Sequence, residues 1–220
     1  MNLRLVSQLI LSLPKTVYFN LHYFKFKDAV KLPIIISYKV NLAKMGGEIE
    51  IDSPIRTAMI NIGFYEPPFF YKQKINGYWN LTGRVLFKGR ASMGIGTKIR
   101  CSGTLMFGEN FKGSATTNID CKKEIRFGDN TLVGWDCLFM DTDNHAVLNM
   151  DGIATNSIKE ITIGDRVWFG QSCTVLKGAA TGNDVVVATN SCLFKKIDQD
   201  HCVLGGYPAK VVKEGISWRL

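Results

Sequence analysis

Apolar residues in this chain recur on a six-residue beat. From residue 163 the sequence reads Ile163-Gly164-Asp165-Arg166-Val167-Trp168, Phe169-Gly170-Gln171-Ser172-Cys173-Thr174, Val175-Leu176-Lys177-Gly178-Ala179-Ala180, Thr181-Gly182-Asn183-Asp184-Val185-Val186 and Val187-Ala188-Thr189-Asn190-Ser191-Cys192, then Leu193. Five of these six openings are apolar, and a small or β-branched residue stands four places later. The same grammar runs from Phe127 through Phe139, and further back Phe87, Phe107 and Phe127 are spaced by 20 residues, as are Cys101 and Cys121.

A helix would need apolar spacing near 3.6, and a doubly wound parallel sheet would need long crossovers. A six-residue beat fits a very short strand followed by a turn, with one or two side chains pointing inward before the chain bends. Gly, Asn and Asp after the apolar residue supply that turn. Three such faces close a triangular coil, and a 20-residue period is three hexads plus two residues at one corner. Coils stack about 4.8 Å apart, which puts the Phe and Cys columns in the core. Spacing leaves the handedness open, and the general rule for parallel crossovers favours a right-handed turn.

The chain before residue 80 follows the beat poorly. Alternation at Ile34, Ile36, Tyr38, Val40 and Leu42, and again at Ile49, Ile51, Ile60 and Ile62, indicates strands in early irregular coils broken by a loop around Glu66-Pro67-Pro68. Residues 1–45 are expected to cap the open end of the solenoid, as such arrays require. Within them Val6, Leu9, Ile10 and Leu13 share one helical face before Pro14, which is expected to end the helix. Residues 1–13 suit packing on the protein itself or contact with a membrane surface. The β-helix is expected over 46–204, with a tail at 205–220.

Composition narrows the class. With 46% hydrophobic and 21% charged residues the chain is globular, and no apolar run reaches the length of a membrane span. The six cysteines include no C-x-x-C pair, so a zinc or redox motif is not expected, and reduced thiols point to the cytoplasm. A formal charge of +8 favours anionic partners, yet no basic run marks a nucleic-acid footprint. Coenzyme phosphates or an acidic glycan account for it.

The Ile163-Gly164-Asp165-x-Val167-Trp168-Phe169-Gly170 run, the hexads after it and Gly206-Tyr207-Pro208-Ala209-Lys210-Val211-Val212 resemble the hexapeptide-repeat acyltransferases, particularly polysaccharide O-acetyltransferases, over roughly residues 85–215. The resemblance implies a mainly β chain: a left-handed parallel β-helix, or hexapeptide-repeat solenoid, with an N-terminal cap and an inserted active-site loop. It also implies a homotrimer with active sites between subunits, acetyl-CoA as co-substrate and no metal.

The beat fails between Phe139 and Ile163, leaving an inserted loop near 141–160 that opens with Asp141-Thr142-Asp143-Asn144-His145. Loops on a rigid scaffold are where function concentrates. By resemblance to the family's catalytic segment, His145 is the expected general base, with Asp143, a backbone carbonyl or Asp141 holding its other ring nitrogen. Trp168 is expected to pack under that loop or form one wall of the acceptor site. Gly170, Gln171, Ala188 and Thr189 are expected along the pantetheine groove, and Lys195, Lys196, Pro208, Lys210 and Lys213 near the nucleotide end. Gln171 and Phe194 depart from the family's usual small residue and Thr.

Other readings stay open at this level: transfer to an amine of an amino sugar or antibiotic, a noncatalytic binding module, and an acyl-enzyme on Cys137. A zinc site of three histidines is not expected, because His22, His145 and His201 lie in unrelated contexts.

Overall fold

The computed structural model describes residues 3–70 and 73–219, with side chains from residue 5 onward. Among these residues the chain winds into three parallel sheets, each turn contributing one strand to each face. The first face begins at Ile34–Ile36 and runs through Ile60–Tyr65, Ala91–Gly94, Phe111–Gly113, Leu132–Val133, Trp168–Phe169 and Val186–Val187 to Cys202–Gly206. The second runs from Val40–Met45 to Cys192–Leu193, and the third from Glu48–Ile51 to Lys196–Ile197. The coil is a left-handed β-helix, against the usual crossover preference.

Register explains the spacing seen in the sequence. Phe87, Phe107 and Phe127 pair directly across the third face, their rings stacked at 5.1 and 5.5 Å. Lower coils are shorter: Trp168 pairs with Val186 and Thr174 with Cys192, eighteen residues apart. All six cysteines are buried and free.

At the corners the turn chemistry meets the expectation for Asn and Asp but not for the glycine. Left-handed φ falls on the fourth residue of the hexad, at Asn130, Asp136, Arg166, Ser172, Asp184 and Asn190, and not on the glycine at the second place. That glycine answers to coil stacking: a Cβ on Gly128 would lie 2.4 Å from the carbonyl oxygen of Gly164. Beside it, the carboxylates of Asp129 and Asp165 accept backbone N–H groups of the preceding coil, from Glu109 at 2.8 Å and from Asp129 at 2.7 Å.

The stack begins at Ile34, inside the segment expected to be cap. Helix α1 (Leu3–Tyr23) closes it, and the short helix α2 (Phe26–Ala29) leads into the first strand. Pro14 does not end α1. A proline inside a helix costs about 3 kcal/mol, and Ser12, Thr16 and Asn20 offset this by bonding α1 to the first face on either side of it. At the other end, Cys202–Gly206 and Ala209–Glu214 form an antiparallel hairpin on the first face. Trp218 then returns to donate its indole N–H to the Arg166 carbonyl at 2.7 Å.

Candidate active site

The long insertion leaves the corner between the second and third faces, after Leu138–Met140, and returns at Ile161–Ile163. Its tip is a small hairpin bridged between Leu148 and Ala154. The root is fixed by Asp141, whose buried carboxylate accepts three successive backbone N–H groups, from Lys122, Lys123 and Glu124, at 2.7 to 2.8 Å. Asp141 is therefore a turn-holder of the coil above and has no free oxygen to offer His145.

The residues flanking His145 are clamped on both sides. Asn144, at φ +62, accepts from Arg100 at 2.8 Å and donates to Asp120 at 3.0 Å, while Arg100 also pairs with Asp120. Desolvation alone would raise the Asp120 carboxyl, but the Arg100 and Asn144 hydrogen bonds outweigh it and hold it below the ordinary carboxylate value. On the other side Asn156 donates to the His145 carbonyl at 2.8 Å and to Asp143 at 2.6 Å, and accepts the Val147 N–H at 2.7 Å. Lys177 donates to Asp143 at 2.5 Å and to the Ser157 carbonyl at 3.2 Å. Hydrogen bonds from Lys177 first and Asn156 second lower the Asp143 carboxyl. Asp143 thus holds the loop closed, and the exposed His145 ring meets no hydrogen-bond partner among the described residues.

Trp168 lies elsewhere. It points outward from the first face, the face opposite the corner that carries the His145 loop, and the structure does not bring the two together within one chain. Its ring sits 6.1 Å from that of Trp218 and lines a cavity of about 570 Å³ with Tyr65, Ser92, Lys112, Leu132 and Trp135. Phe69, in the loop after Ile60–Tyr65, packs on Trp135 at 5.7 Å. An adjoining cavity of about 480 Å³ shares Ser92 and Lys112 and adds Arg56 and Arg90. No carboxylate lines either cavity among the described residues.

The expected coenzyme positions fall mostly along one edge, the corner between the first and second faces. Gly134, Gly170-Gln171 and Ala188-Thr189 stack there on successive coils: a Cβ on Gly134 would lie 2.8 Å from the Gln171 nitrogen, and one on Gly170 2.7 Å from the Thr189 nitrogen. Coil packing already requires glycine at both. The edge continues to Gly205, packed on Ala188, and to the Tyr207–Pro208 turn. There Lys195, Phe194 and Pro208 line a small cavity. Lys210 and Lys213 are exposed on Ala209–Glu214, whereas Lys196 belongs to the third face and is paired with Asp198 at 2.6 Å.

Cys137 is fully buried, its sulfur 3.1 Å from the Gly170 carbonyl. Its hydrogen bond with Cys173, and then burial, push the thiol well above its ordinary value. A nucleophile needs an accessible thiolate, so the acyl-enzyme route has no support here.

Sequence reasoning missed Lys177, Asn156, Arg100 and the aromatic wall formed by Tyr65, Phe69 and Trp135. Trp135 carried a signal, since a Trp at an outward hexad position is costly to leave wet. The others pair with residues far away in sequence and carried none.

No protein-family model matches the chain. It is 27% identical over 143 residues to WbbJ of Escherichia coli K12, named for O-acetyl transfer in lipopolysaccharide biosynthesis, covering 60% of this chain and 72% of that one. It is 35% identical over 107 residues to the polysialic acid O-acetyltransferase of Neisseria meningitidis, covering 48% and 50% respectively. The crystal structure of the polySia-specific acetyltransferase NeuO superposes with a TM-score of 0.54 at 18% identity, over 86% of this chain and 89% of that one. Sequence and fold point the same way: the chain is an acyltransferase, and it resembles the hexapeptide-repeat acetyltransferases in sequence and in its β-helix.

Proposed function

We propose that this chain transfers an acetyl group from acetyl-CoA to a sugar hydroxyl of a cell-surface polysaccharide or its precursor, with His145 as general base. The observation that carries the reading is the contrast at His145: its backbone is clamped through Asn144 and Asn156, while its ring is left open to a reactant. A neutral imidazole takes the proton of the attacking hydroxyl as the oxygen bonds to the thioester carbon. When the C–S bond breaks, the same proton passes to the departing thiolate. Such a base contributes roughly 10² to 10⁴ in rate.

Asp143 is occupied by Lys177 and Asn156, so the second ring nitrogen is left to a backbone carbonyl or to a neighbouring chain. A homotrimer supplies that neighbour. The placing of His145 and Trp168 on opposite sides of one coil favours an active site in which the loop of one subunit meets the first face of the next. The edge from Gly134 to Pro208 is the proposed bed of the coenzyme, with Lys195 and Lys210 toward its phosphates. Free buried thiols favour a cytoplasmic location.

The first-face cleft favours an acidic glycan: aromatic rings at one end for a pyranose, and Arg56, Arg90 and Lys112 at the other for carboxylates. The test is to follow thiol release from acetyl-CoA with a panel of acidic glycans, neutral glycans and amino sugars. Saturable release with acidic glycans is expected. Release with amino sugars alone would assign the chain to N-acetylation.

A further inference from the structure

Helix α1 mixes polar and apolar residues on its inward face, where Phe19 is buried against Trp79, and exposes a largely apolar stripe on its outward one. Its polar residues Ser12, Thr16 and Asn20 are buried on the coil, where they bond the backbone of Tyr38, Ile36 and Ile34. Its outward stripe is apolar: Ile10, Leu11, Tyr18 and Leu21 are 66, 59, 59 and 49% exposed, with Pro14 between them. A surface helix ordinarily carries the reverse pattern, because wet apolar area is unfavourable. The polar face is committed to the strand edge, so rotation of α1 cannot relieve the exposure. Directly after it, Phe26 and Val30 are 74 and 55% exposed among Lys25, Lys27 and Lys31.

Charge says what covers this face. Up to residue 44 the chain has Arg4, Lys15, Lys25, Lys27, Lys31, Lys39 and Lys44 against Asp28 alone, a net +6 of the whole chain's +8. Helix α1 contains no carboxylate. A second copy would bring like charge against like charge. No described helix is long and apolar enough to cross a membrane, so α1 could only lie on one.

We infer that this end of the coil docks on an anionic phospholipid bilayer, with Ile10, Leu11, Tyr18 and Leu21 entering the headgroup boundary and the surrounding lysines meeting lipid phosphates. The inference is independent of the proposed reaction and is read by binding alone.

The test is co-sedimentation of the full chain with phosphatidylcholine vesicles, with and without a third of phosphatidylglycerol. Binding at least about tenfold tighter to the anionic vesicles is expected, falling as salt rises. Ile10→Asp with Leu21→Asp should reduce it about tenfold or more, and Lys25→Glu with Lys27→Glu should weaken it on anionic vesicles only. These positions are exposed, and an unchanged thermal midpoint verifies the fold. Equal sedimentation with both vesicle types, or undiminished binding by the Asp variant, overturns the inference. So does a wild-type mass by light scattering that drops in the Asp variant, which would assign the face to another copy of the chain.

Discussion

The side-chain amide of Asn20 bonds Ile34 on both sides, donating to its carbonyl at 2.7 Å and accepting its N–H at 3.2 Å. Thr16 does the same to Ile36, at 3.3 and 3.2 Å, and Ser12 accepts the Tyr38 N–H at 2.9 Å. Four helical residues rise about 6 Å and two strand residues about 6.6 Å, so every fourth residue of α1 meets every second residue of the strand. A helix thereby stands in for the missing strand at the open edge, which would otherwise invite pairing with another chain.

Asn20→Leu keeps the branching at Cγ and removes both bonds to Ile34. It leaves a buried N–H and a buried C=O without partners, at about 1–3 kcal/mol each. The denaturation midpoint should fall by an amount equivalent to about 2–6 kcal/mol, whereas Leu21→Gln, on the outward face, should stay within about 0.5 kcal/mol. Equal effects in the two variants would remove the edge-capping role.

His145→Ala should lower kcat by roughly 10² to 10⁴ while leaving the melting temperature and the Kd for coenzyme A unchanged. The ring is exposed and makes no hydrogen bond among the described residues, so its removal disturbs no packing there. Calorimetric titration with coenzyme A beside steady-state kinetics separates the two readouts. Near-normal turnover would discard the general-base assignment.

The hexads from Phe127 onward and the interruption after Phe139 were legible because stacking repeats one environment and the repeat is written into the chain. Helix α1 was legible only in part. The apolar face of Val6, Leu9, Ile10 and Leu13 marked a helix but left its partner open, and its length past Pro14 was hidden because edge strand Ile34–Ile36 holds it through hydrogen-bonding side chains. The early coils were obscured because bulges at Leu42/Lys44 and Ile62/Tyr65 break their period. At the site, Asp143 was found as a loop residue beside His145, but its partner Lys177 follows the strand three on, in the next coil, and reads as an ordinary outward lysine.

Lys177→Met should loosen the loop at every pH from neutral down to about 5. The Asp143 carboxyl is lowered by Lys177 and Asn156, so its pairing contributes fully above the ordinary carboxylate pKa of about 3.9 and is lost only as pH falls through the lower folded value. From neutral pH down to about 5, wild-type protection of the Thr155 amide, bonded to the Val147 carbonyl at 2.8 Å, should hold steady. The variant should exchange faster throughout that window. Identical protection in both proteins would show that Lys177 does not tether the loop.

Lys112→Glu should raise KM for an acidic glycan by about tenfold or more and leave a neutral acceptor nearly unaffected. It places a carboxylate in a cleft that otherwise offers Arg56 and Arg90, so the local change is one of charge sign. Lys112 is on an outward strand position, and the core is untouched. Initial rates across acceptor concentration give the answer, and a matching loss with neutral and acidic acceptors would count against charge recognition in this cleft.

The separation of His145 and Trp168 makes a sharper demand. Within one coil the histidine loop leaves the corner opposite the face that carries the tryptophan, so a working pair must come from two chains. His145→Ala and Trp168→Ala should each be poorly active alone. Co-refolded in equal amounts, random assembly of a cyclic trimer gives about a quarter of the interfaces a wild-type His145 from one chain and a wild-type Trp168 from its neighbour. Specific activity should therefore recover to about a quarter of wild type, well above either parent. A single-chain site would show only the mean of the two variants, because no chain in the mixture carries both residues, and that result would place the reaction in a geometry this fold does not offer.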